Sequence, residues 1–214
     1  MTTPSAVCPP PLPSAPPLPA GPGRTRRAWI AGVVGVLLVA LLAGATWWLT
    51  RDDDNSPFAG RPRVTDSATG LSYAIPQGWK RSDGKDLIKA FTSSITTSGP
   101  DGHGGAAVLA GRGGAVDEST LRRRTETAAR SNAEFFYPDG TSTVEESRPT
   151  TVSGRPAYTV SLSARDDGGR AGRIRLTIVA QGTEQSAFLL GVSESPDPAM
   201  THQIDAVLAD ASMR

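Results

Sequence analysis

The sequence contains few of the side chains that build disulfide scaffolds and zinc sites. Its 214 residues include one cysteine, Cys8, and two histidines, His103 and His202. A disulfide within the chain needs two cysteines, so the stability of the folded part must come from packing. A zinc site would need an unusual number of carboxylate ligands. The composition therefore argues against both classes of protein.

Motifs of the common enzyme classes are also missing. The sequence has no G-x-S-x-G elbow, no P-loop, no H-E-x-x-H and no G-x-G-x-x-G. His103 and Asp101 lie in the glycine-rich loop Ser98–Gly105, where they either begin a catalytic or metal site or are merely exposed. Asp166 and Asp167 indicate a hairpin turn rather than a calcium site. We expect no catalytic residue, no metal ligand and no cofactor.

The chain has no excess of positive charge that would mark a nucleic-acid-binding protein. Four of the 22 basic residues precede Asp52, whereas all 21 acidic residues follow Arg51. The part from residue 52 onward therefore has a net charge of −3. Nucleic-acid-binding domains have basic patches and a basic net charge, so we expect no nucleic-acid partner.

One stretch has no charged residue at all. Ala28–Leu49 contains 22 residues, mostly Val, Leu, Ala and Gly. A helix of this length is about 33 Å long, enough to cross a hydrocarbon core of about 30 Å. Trp29 near one end, and Trp47 and Trp48 near the other, match the preference of indole rings for the membrane interface. The stretch predicts one transmembrane helix.

The residues flanking this stretch predict its orientation. Arg24, Arg26 and Arg27 precede it, whereas a single arginine, Arg51, follows it. Basic residues stay on the cytoplasmic side, so we expect a single-pass plasma-membrane protein with a cytoplasmic N-terminus and an extracytoplasmic C-terminal domain. The alternative is a signal peptide cleaved near Ala45, which leaves the retention of the helix open.

Small residues recur at four-residue intervals within the predicted span. Ala31 and Gly35 form one such pair, and Ala40 and Gly44 form another. This spacing lets two helices approach closely, so a homodimer through the span is one interpretation. A single span whose small residues reflect composition is the other.

The segment before the span, residues 1–27, is rich in proline, with nine prolines in its first 23 residues. Such a segment buries too little apolar surface to fold, so we expect a disordered cytoplasmic tail with polyproline II character. Proline at every third position would align on one edge, which is the geometry that proline-binding domains recognise; the alternative is a solvated tail. The candidate partner-binding residues in the tail are Pro10, Pro13, Pro16, Pro19, Pro22 and Arg24.

Beyond the span, the pattern predicts a polar tether over residues 50–63 and one folded domain over residues 64–214. A strand at Leu71–Ile75 is followed by Trp79, which we expect in the core. Asp117 or Ser119 can cap a helix that ends near Phe136. The apolar face expected for this helix comprises Leu121, Thr125, Ala128, Asn132 and Phe135 or Phe136.

The last third of the sequence predicts strands and a final helix. Thr143–Val152 indicates an edge strand broken by Pro149, and Ser153-Gly154 a turn into the next strand. Ser186–Val192 is apolar on both faces, which predicts a central strand. Asp197 can cap a helix whose apolar stripe is Met200, Ile204, Val207, Leu208 and Ala211. Strands followed by a helix, twice, predict an α+β fold with an antiparallel sheet.

The other candidate partner-binding residues are basic and lie on the predicted helix near residues 117–136. Arg122, Arg123 and Arg130, with Arg124 on the flank, would form a strip that faces an anionic lipid or polymer. The alternative is a solvated helix face whose charge is balanced by Glu118, Glu126 and Glu134.

Two short stretches carry a resemblance to a known family. Gly70–Trp79 (GLSYAIPQGW) resembles the opening strand of PsbP-like domains, and Val152–Tyr158 (VSGRPAY) resembles a second hairpin of the same group, which includes LpqN-type lipoproteins of high-GC Gram-positive bacteria. The resemblance implies an α/β/α sandwich around an antiparallel sheet and a non-catalytic binding or assembly factor. It transfers no functional residue, and here a membrane helix stands in place of a lipidated cysteine.

These patterns support one leading function and two others. The leading hypothesis is a single-pass membrane protein that presents a non-catalytic extracytoplasmic domain for binding or scaffolding, with an unidentified protein partner. The alternative is a transmembrane signalling or regulatory protein that uses the proline-rich tail. A cell-envelope hydrolase with a dispersed active site is the third.

Overall fold

The computed structural model describes residues 56–82, 89–99, 104–182, 184–195 and 197–214. These residues belong to one compact unit, Asp53–Arg214. They form ten strands and two helices. The strands are β1 (Arg63–Asp66), β2 (Leu71–Ala74), β3 (Lys80–Arg81), β4 (Phe91–Ser98), β5 (Gly105–Gly113), β6 (Thr141–Val152), β7 (Arg155–Arg165), β8 (Ala171–Ala180), β9 (Ser186–Ser193) and β10 (Ser212–Met213), and the helices are α1 (Glu118–Phe136) and α2 (Pro198–Ala209).

Seven of the strands form one antiparallel sheet in the order β3-β4-β5-β9-β8-β7-β6. The prediction that residues 186–192 form a central strand is confirmed, because β9 pairs with β5 on one side and with β8 on the other. Leu190 lies opposite Leu109 and Leu176 in these pairings. Apolar residues on both faces of β9 allow helices to cover both faces of the sheet.

The prediction that Pro149 breaks the edge strand β6 was wrong. Pro149 does not break the strand, which runs continuously through it and places Pro149 opposite Tyr158. Proline lacks an N–H group, and an edge strand tolerates this because one of its sides has no neighbouring strand. The predicted turn is confirmed: Ser153 and Gly154 have positive φ angles of 48° and 74°, as a two-residue hairpin of type I′ requires.

A second, three-stranded sheet has the order β1-β2-β10. The C-terminal strand β10 pairs with β2, with Ser212 opposite Ser72. This small sheet and α2 share one apolar core with the seven-stranded sheet, in which Tyr73 and Leu189 are fully buried. The predicted core position of Trp79 is confirmed, since it is 6 % exposed.

The opposite face of the large sheet packs against α1. Its core includes Val160, Leu162, Ile174, Leu176 and Leu190, which the helix covers with Leu121, Ala129 and Ala133. The domain is therefore a layered α+β structure with a helix on each face of an antiparallel sheet, as predicted.

The capping residues and the buried faces of the two helices can be compared with the predictions. In α2, the side chain of Asp197 accepts a hydrogen bond from the Ala199 N–H, and the predicted stripe is buried. In α1, Asp117 is the N-cap residue but makes no side-chain capping hydrogen bond. The predicted apolar face of α1 was partly wrong: the buried residues are Leu121, Thr125, Ala129 and Ala133, whereas Asn132 and Phe135 are not buried. Ala128 and Phe136, the other residue offered for the end of that face, are partly buried and pack against the core.

The predicted tail and the predicted span lie outside the described residues, as does the first part of the predicted tether. In the part of the chain that the structure describes, no helix is long and apolar enough to cross a membrane. Phe58, within the segment expected to be a tether, packs against the core beneath α2. Ser56 also donates a hydrogen bond of 2.5 Å to Asp210.

Candidate functional site

An apolar groove of about 700 Å³ lies beside α1 on the large sheet. The helix packs on β7 and β8, so part of the sheet surface next to it stays uncovered. The sheet contributes Leu176 and Ile178 from β8, Phe188 from β9 and Phe91 from β4 to the lining, and the segment 113–116 before α1 also lines the groove. The groove follows from the position of α1 across the sheet.

Two aromatic rings fix the shape of the groove. Phe91 and Phe188 meet edge to face, with ring centroids 5.9 Å apart and ring planes at 71°. Gly111 leaves the space that the second ring occupies, because a Cβ atom at this position would lie 2.3 Å from Phe188 Cζ and 2.2 Å from the Ala90 carbonyl oxygen. The aromatic part of the groove is therefore formed by close packing.

The helix contributes a row of side chains to the groove. Arg124, Ala128, Ser131 and Phe135 recur at intervals of four, three and four residues and all line it. Phe135 is 64 % exposed and meets Phe136 edge to face at 5.2 Å. Three positions of the predicted apolar face (Ala128, Asn132 and Phe135) thus line the groove, and Ala128 also packs against the core.

The charged side chains on the described lining of the groove are basic. Arg123 and Arg124 line it, and among the residues that the structure describes no carboxylate does. Neither arginine makes an ion pair with a residue that the structure describes. An anionic group on a ligand would therefore meet two available guanidinium groups.

The basic residues predicted to form a strip on α1 differ in their contacts. Arg122 donates to Glu126 at 3.0 Å, and Glu126 also accepts a hydrogen bond from Ser147 on β6. The hydrogen bond from Ser147 and that from Arg122 lower the pKa of Glu126. Arg130 is exposed and lies outside the groove lining, whereas Arg123 lines it. The candidate residues from Pro10 to Arg24 lie outside the described residues.

Comparison with known proteins gives a fold assignment. No family model matches the sequence, and no curated protein matches it. Among solved structures, cyanobacterial PsbP (CyanoP) from Synechocystis superposes with a TM-score of 0.51 at 12 % identity, over 72 % of this chain and 92 % of that one. LpqN, involved in cell envelope biogenesis of Mycobacterium tuberculosis, gives a TM-score of 0.51 at 14 % identity, over 71 % and 89 %.

The domain has a PsbP-like fold. A third structure, the Ran-binding protein Mog1p of Saccharomyces cerevisiae, has a TM-score of 0.50 at 10 % identity, over 72 % of this chain and 95 % of that one. Sequence identities this low establish a shared fold and nothing finer. The resemblance seen in the sequence around Gly70–Trp79 and Val152–Tyr158 is confirmed at the level of the fold.

The other side of the PsbP-like domain carries a network of ion pairs. Arg175 contacts Glu146 and Asp205 at 3.0 Å each, and Arg173 contacts Glu145 at 3.2 Å and Asp205 at 3.4 Å. An irregularity of β6 between Val144 and Glu146 accompanies the presence of two consecutive glutamates in this network. Because Asp205 belongs to α2, the network joins this helix to β8 and β6.

One oxygen in this network is held by charge rather than by a well-aligned hydrogen bond. Asp205 Oδ1 lies 3.0 Å from Arg175 Nη1, within ion-pair distance, yet it has no hydrogen-bond partner of good geometry. Coulomb attraction depends less on alignment than a hydrogen bond does, so we treat this contact as an ion pair. The network has the structural role of fixing α2.

A buried carboxylate connects the small sheet of the PsbP-like domain with β4. Asp66 is 5 % exposed and accepts hydrogen bonds from the hydroxyls of Thr92 at 2.5 Å and Ser93 at 2.6 Å, and from the backbone N–H of Ala68 and Thr69. Burial by itself would raise the pKa of Asp66, but these four hydrogen bonds outweigh it and the pKa lies below its usual range.

The same cluster contains a buried tyrosine. The Tyr73 hydroxyl lies 2.9 Å from Ser93 Oγ, and burial raises the pKa of Tyr73 to about 12. Tyr73 is thus a neutral phenol at any physiological pH. Asp66, Ser93 and Tyr73 hold the two sheets together and face the interior, away from the groove.

Of the remaining candidates for chemistry, the described residues include His202, Asp166 and Asp167. His202 is exposed on α2, while Asp101 and His103 lie outside the described residues. Within the described ranges, no group of three or more His, Cys, Asp or Glu side chains is placed to hold a metal ion. Asp166 takes part in the predicted hairpin turn, where it accepts hydrogen bonds from the backbone N–H and the guanidinium of Arg170.

Proposed function

We propose that this chain presents a non-catalytic binding domain and that the groove beside α1 is its binding site. The observation that carries the proposal is the apolar groove of about 700 Å³, whose lining includes two arginines that make no ion pair with the described residues. Pockets of this size that combine apolar walls with a few polar groups are the usual form of a binding site. The polar residues in the interior, Asp66 and Tyr73, are engaged in structural hydrogen bonds.

The composition of the groove favours recognition of a ligand over catalysis. Its large side chains are Phe91, Phe135 and Phe188, and its charged ones are Arg123 and Arg124. Aromatic residues and arginine are the types enriched at the centres of binding interfaces. The fold neighbours include a Ran-binding protein and a protein involved in cell envelope biogenesis, which agrees with a binding role.

The proposal includes the position of the domain relative to the membrane. Ala28–Leu49 would anchor the chain as a single transmembrane helix, with residues 1–27 in the cytoplasm and the PsbP-like domain on the outer side of the plasma membrane. The basis is the charge-free length of this stretch and the arginines that precede it.

A photocrosslinking experiment tests the binding site. The photoreactive residue p-benzoylphenylalanine replaces Phe135 in the full-length chain, and the protein is irradiated in native membranes. The matched control carries the same residue at Val144, which is 38 % exposed and lies outside the groove. We expect a defined adduct with position 135 and none above background with position 144. Equal adducts at both positions, or none at either, would exclude the groove as the binding site.

The natural cysteine provides a test of topology. A membrane-impermeant maleimide, added to intact cells, should leave Cys8 unlabelled until the membrane is permeabilised. A chain with Cys8→Ser and Ser119→Cys, which moves the thiol to an exposed position of α1, should be labelled without permeabilisation. Labelling of Cys8 in intact cells would contradict the proposed orientation, and a mature protein without Cys8 would support the cleaved signal peptide.

The proline repeat in the tail is the basis of the alternative function, a signalling or regulatory protein. Deletion of residues 1–23 removes all five prolines of the repeat and leaves the predicted span. If the groove of the folded domain is the binding site, the adduct at position 135 should be unchanged by this deletion. Loss of that adduct would favour a signalling protein that works through its cytoplasmic tail.

A further inference from the structure

The charged side chains on the groove lining suggest what kind of partner the groove accepts. Resting on the binding function proposed above, we infer that the groove binds a segment of a partner protein in which carboxylates accompany apolar side chains. Arg123 and Arg124 would pair with the carboxylates, and the apolar side chains would pack on the phenylalanines. Charge complementarity selects this chemistry, since the charged side chains on the lining, within the described residues, are the two arginines.

Several other arginines of the domain are already engaged by carboxylates of the chain. Arg63 contacts Asp210 at 2.5 Å, and Arg173 and Arg175 each contact two carboxylates. Arg123 and Arg124 make no such pair within the described part of the chain. Arg123 and Arg124 are consecutive and exposed beside an apolar surface, so both guanidinium groups are available to an anionic partner.

The row of groove residues on α1 gives the partner segment a direction. From Arg124 to Phe135 the helix advances eleven residues, or about 16 Å. The cationic end of the row lies near the start of α1, and the aromatic end lies near its C-terminus. A helical or extended segment along this row therefore places its acidic residues near Arg124 and its apolar anchor near Phe135.

The form of the groove favours a protein segment over an anionic lipid. Phe135 is 64 % exposed, so the aromatic end of the row stands open to solvent where an acyl chain would need enclosure. Aromatic residues and arginine, which both line this groove, are enriched at protein interfaces. Gly114, on the lining, has no atom within 4 Å of its Cβ position, so its backbone is open to the close approach of another chain.

Charge reversal tests the inference in the full-length chain. The photoreactive residue stands at position 135 in native membranes, in three backgrounds: no further change, Arg123→Glu with Arg124→Glu, and Arg130→Glu. Arg130 is the matched control because it is an exposed arginine of the same helix outside the groove. We expect the double reversal to lower the yield of the adduct by about tenfold or more. Arg130→Glu should change it by less than about twofold.

The chemical identity of the adduct decides between partners. Mass spectrometry of the crosslinked peptide should find a protein segment with Asp or Glu within about eleven residues of the crosslinked position. Reversal of those carboxylates to Lys should restore the adduct of the Arg123→Glu, Arg124→Glu chain. A lipid adduct, a basic segment, or a protein adduct unaffected by the double reversal would overturn the inference while leaving a groove that binds. Absence of any adduct at position 135 would instead refute the proposed binding function.

Discussion

The Asp66 carboxylate on β1 accepts a hydrogen bond of 2.6 Å from the Ser93 hydroxyl on β4. β1 belongs to the three-stranded sheet and β4 to the seven-stranded one, so the bond connects the two sheets through their common core. The same oxygen, Oδ2, also accepts from Thr92, and the other oxygen caps the turn after β1. This carboxylate is the polar centre of the core beneath the small sheet.

Replacing Asp66 with asparagine should destabilise the domain. Whichever way the new amide is turned, an NH₂ group replaces an oxygen that accepts two hydrogen bonds. We expect a loss of about 1–3 kcal/mol in the free energy of unfolding, measured by urea denaturation. Asp117→Asn is the matched control, since Asp117 makes no side-chain capping hydrogen bond, and its effect should be within about 0.5 kcal/mol. Equal effects of the two substitutions would contradict the role of Asp66.

The stabilisation from Asp66 should depend on pH in one direction. Its pKa in the folded state lies below the ordinary value of 3.8, so the ionised carboxylate contributes fully above that value, and its contribution is lost as the pH falls through the folded-state pKa. The difference in stability between the natural chain and Asp66→Asn should therefore be constant near neutral pH and shrink below about pH 3.8. A stability difference that grows as the pH falls would contradict a lowered pKa for Asp66 in the folded state.

Gly191 on β9 is needed for the contact with α2. A Cβ atom there would lie 2.2 Å from Ile204 Cγ2 and 3.4 Å from Leu208 Cδ1. Gly191→Ala should therefore move α2 away from the sheet and cost about 1–3 kcal/mol in unfolding free energy. Gly114→Ala provides the control, because nothing lies within 4 Å of its Cβ position. If both variants melted at the natural temperature, the close approach of α2 to β9 would be disproved.

Much of the layered architecture could be predicted from the sequence because its apolar periodicity is strong. The stripe from Met200 to Ala211 recurs with helical spacing, and the structure buries every residue of it. Residues 186–192 are apolar on both faces, which only a strand covered on both sides accommodates. Such patterns are local, and the sequence alone displays them.

Neither the buried face of α1 nor the groove could be predicted from local patterns of this kind. The helix is rich in Ala, Ser, Thr and Arg, so the contrast between its faces is low, and Ala128 could not be distinguished from Ala129. The groove exists because α1 lies over β7 and β8, and this position is set by contacts between residues far apart in sequence. A broad apolar stripe that ends in two phenylalanines was the one available signal for it.

The ion pairs between α2 and the sheet should contribute more than a surface pair does. Arg175 is 13 % exposed and contacts both Glu146 and Asp205, which are about 30 % exposed. Arg175→Met should cost about 1–2 kcal/mol in unfolding free energy, a value reduced from that of a fully buried pair because solvent screens the carboxylates. Arg170→Met breaks a pair whose arginine is 86 % exposed, and thermal unfolding should detect little change. A larger loss for Arg170→Met would contradict the structural role of the network.

Occupancy of the groove in the membrane is the most direct test of the binding account. Cysteine is introduced into a Cys8→Ser chain at Ser131, which lines the groove, or at Ser119, which is exposed elsewhere on α1. The rate of maleimide labelling is then compared between native membranes and the purified full-length protein. We predict that Ser131→Cys reacts much more slowly in native membranes than after purification, whereas Ser119→Cys reacts at the same rate in both. Equal rates for Ser131→Cys would contradict the claim that the groove binds a partner.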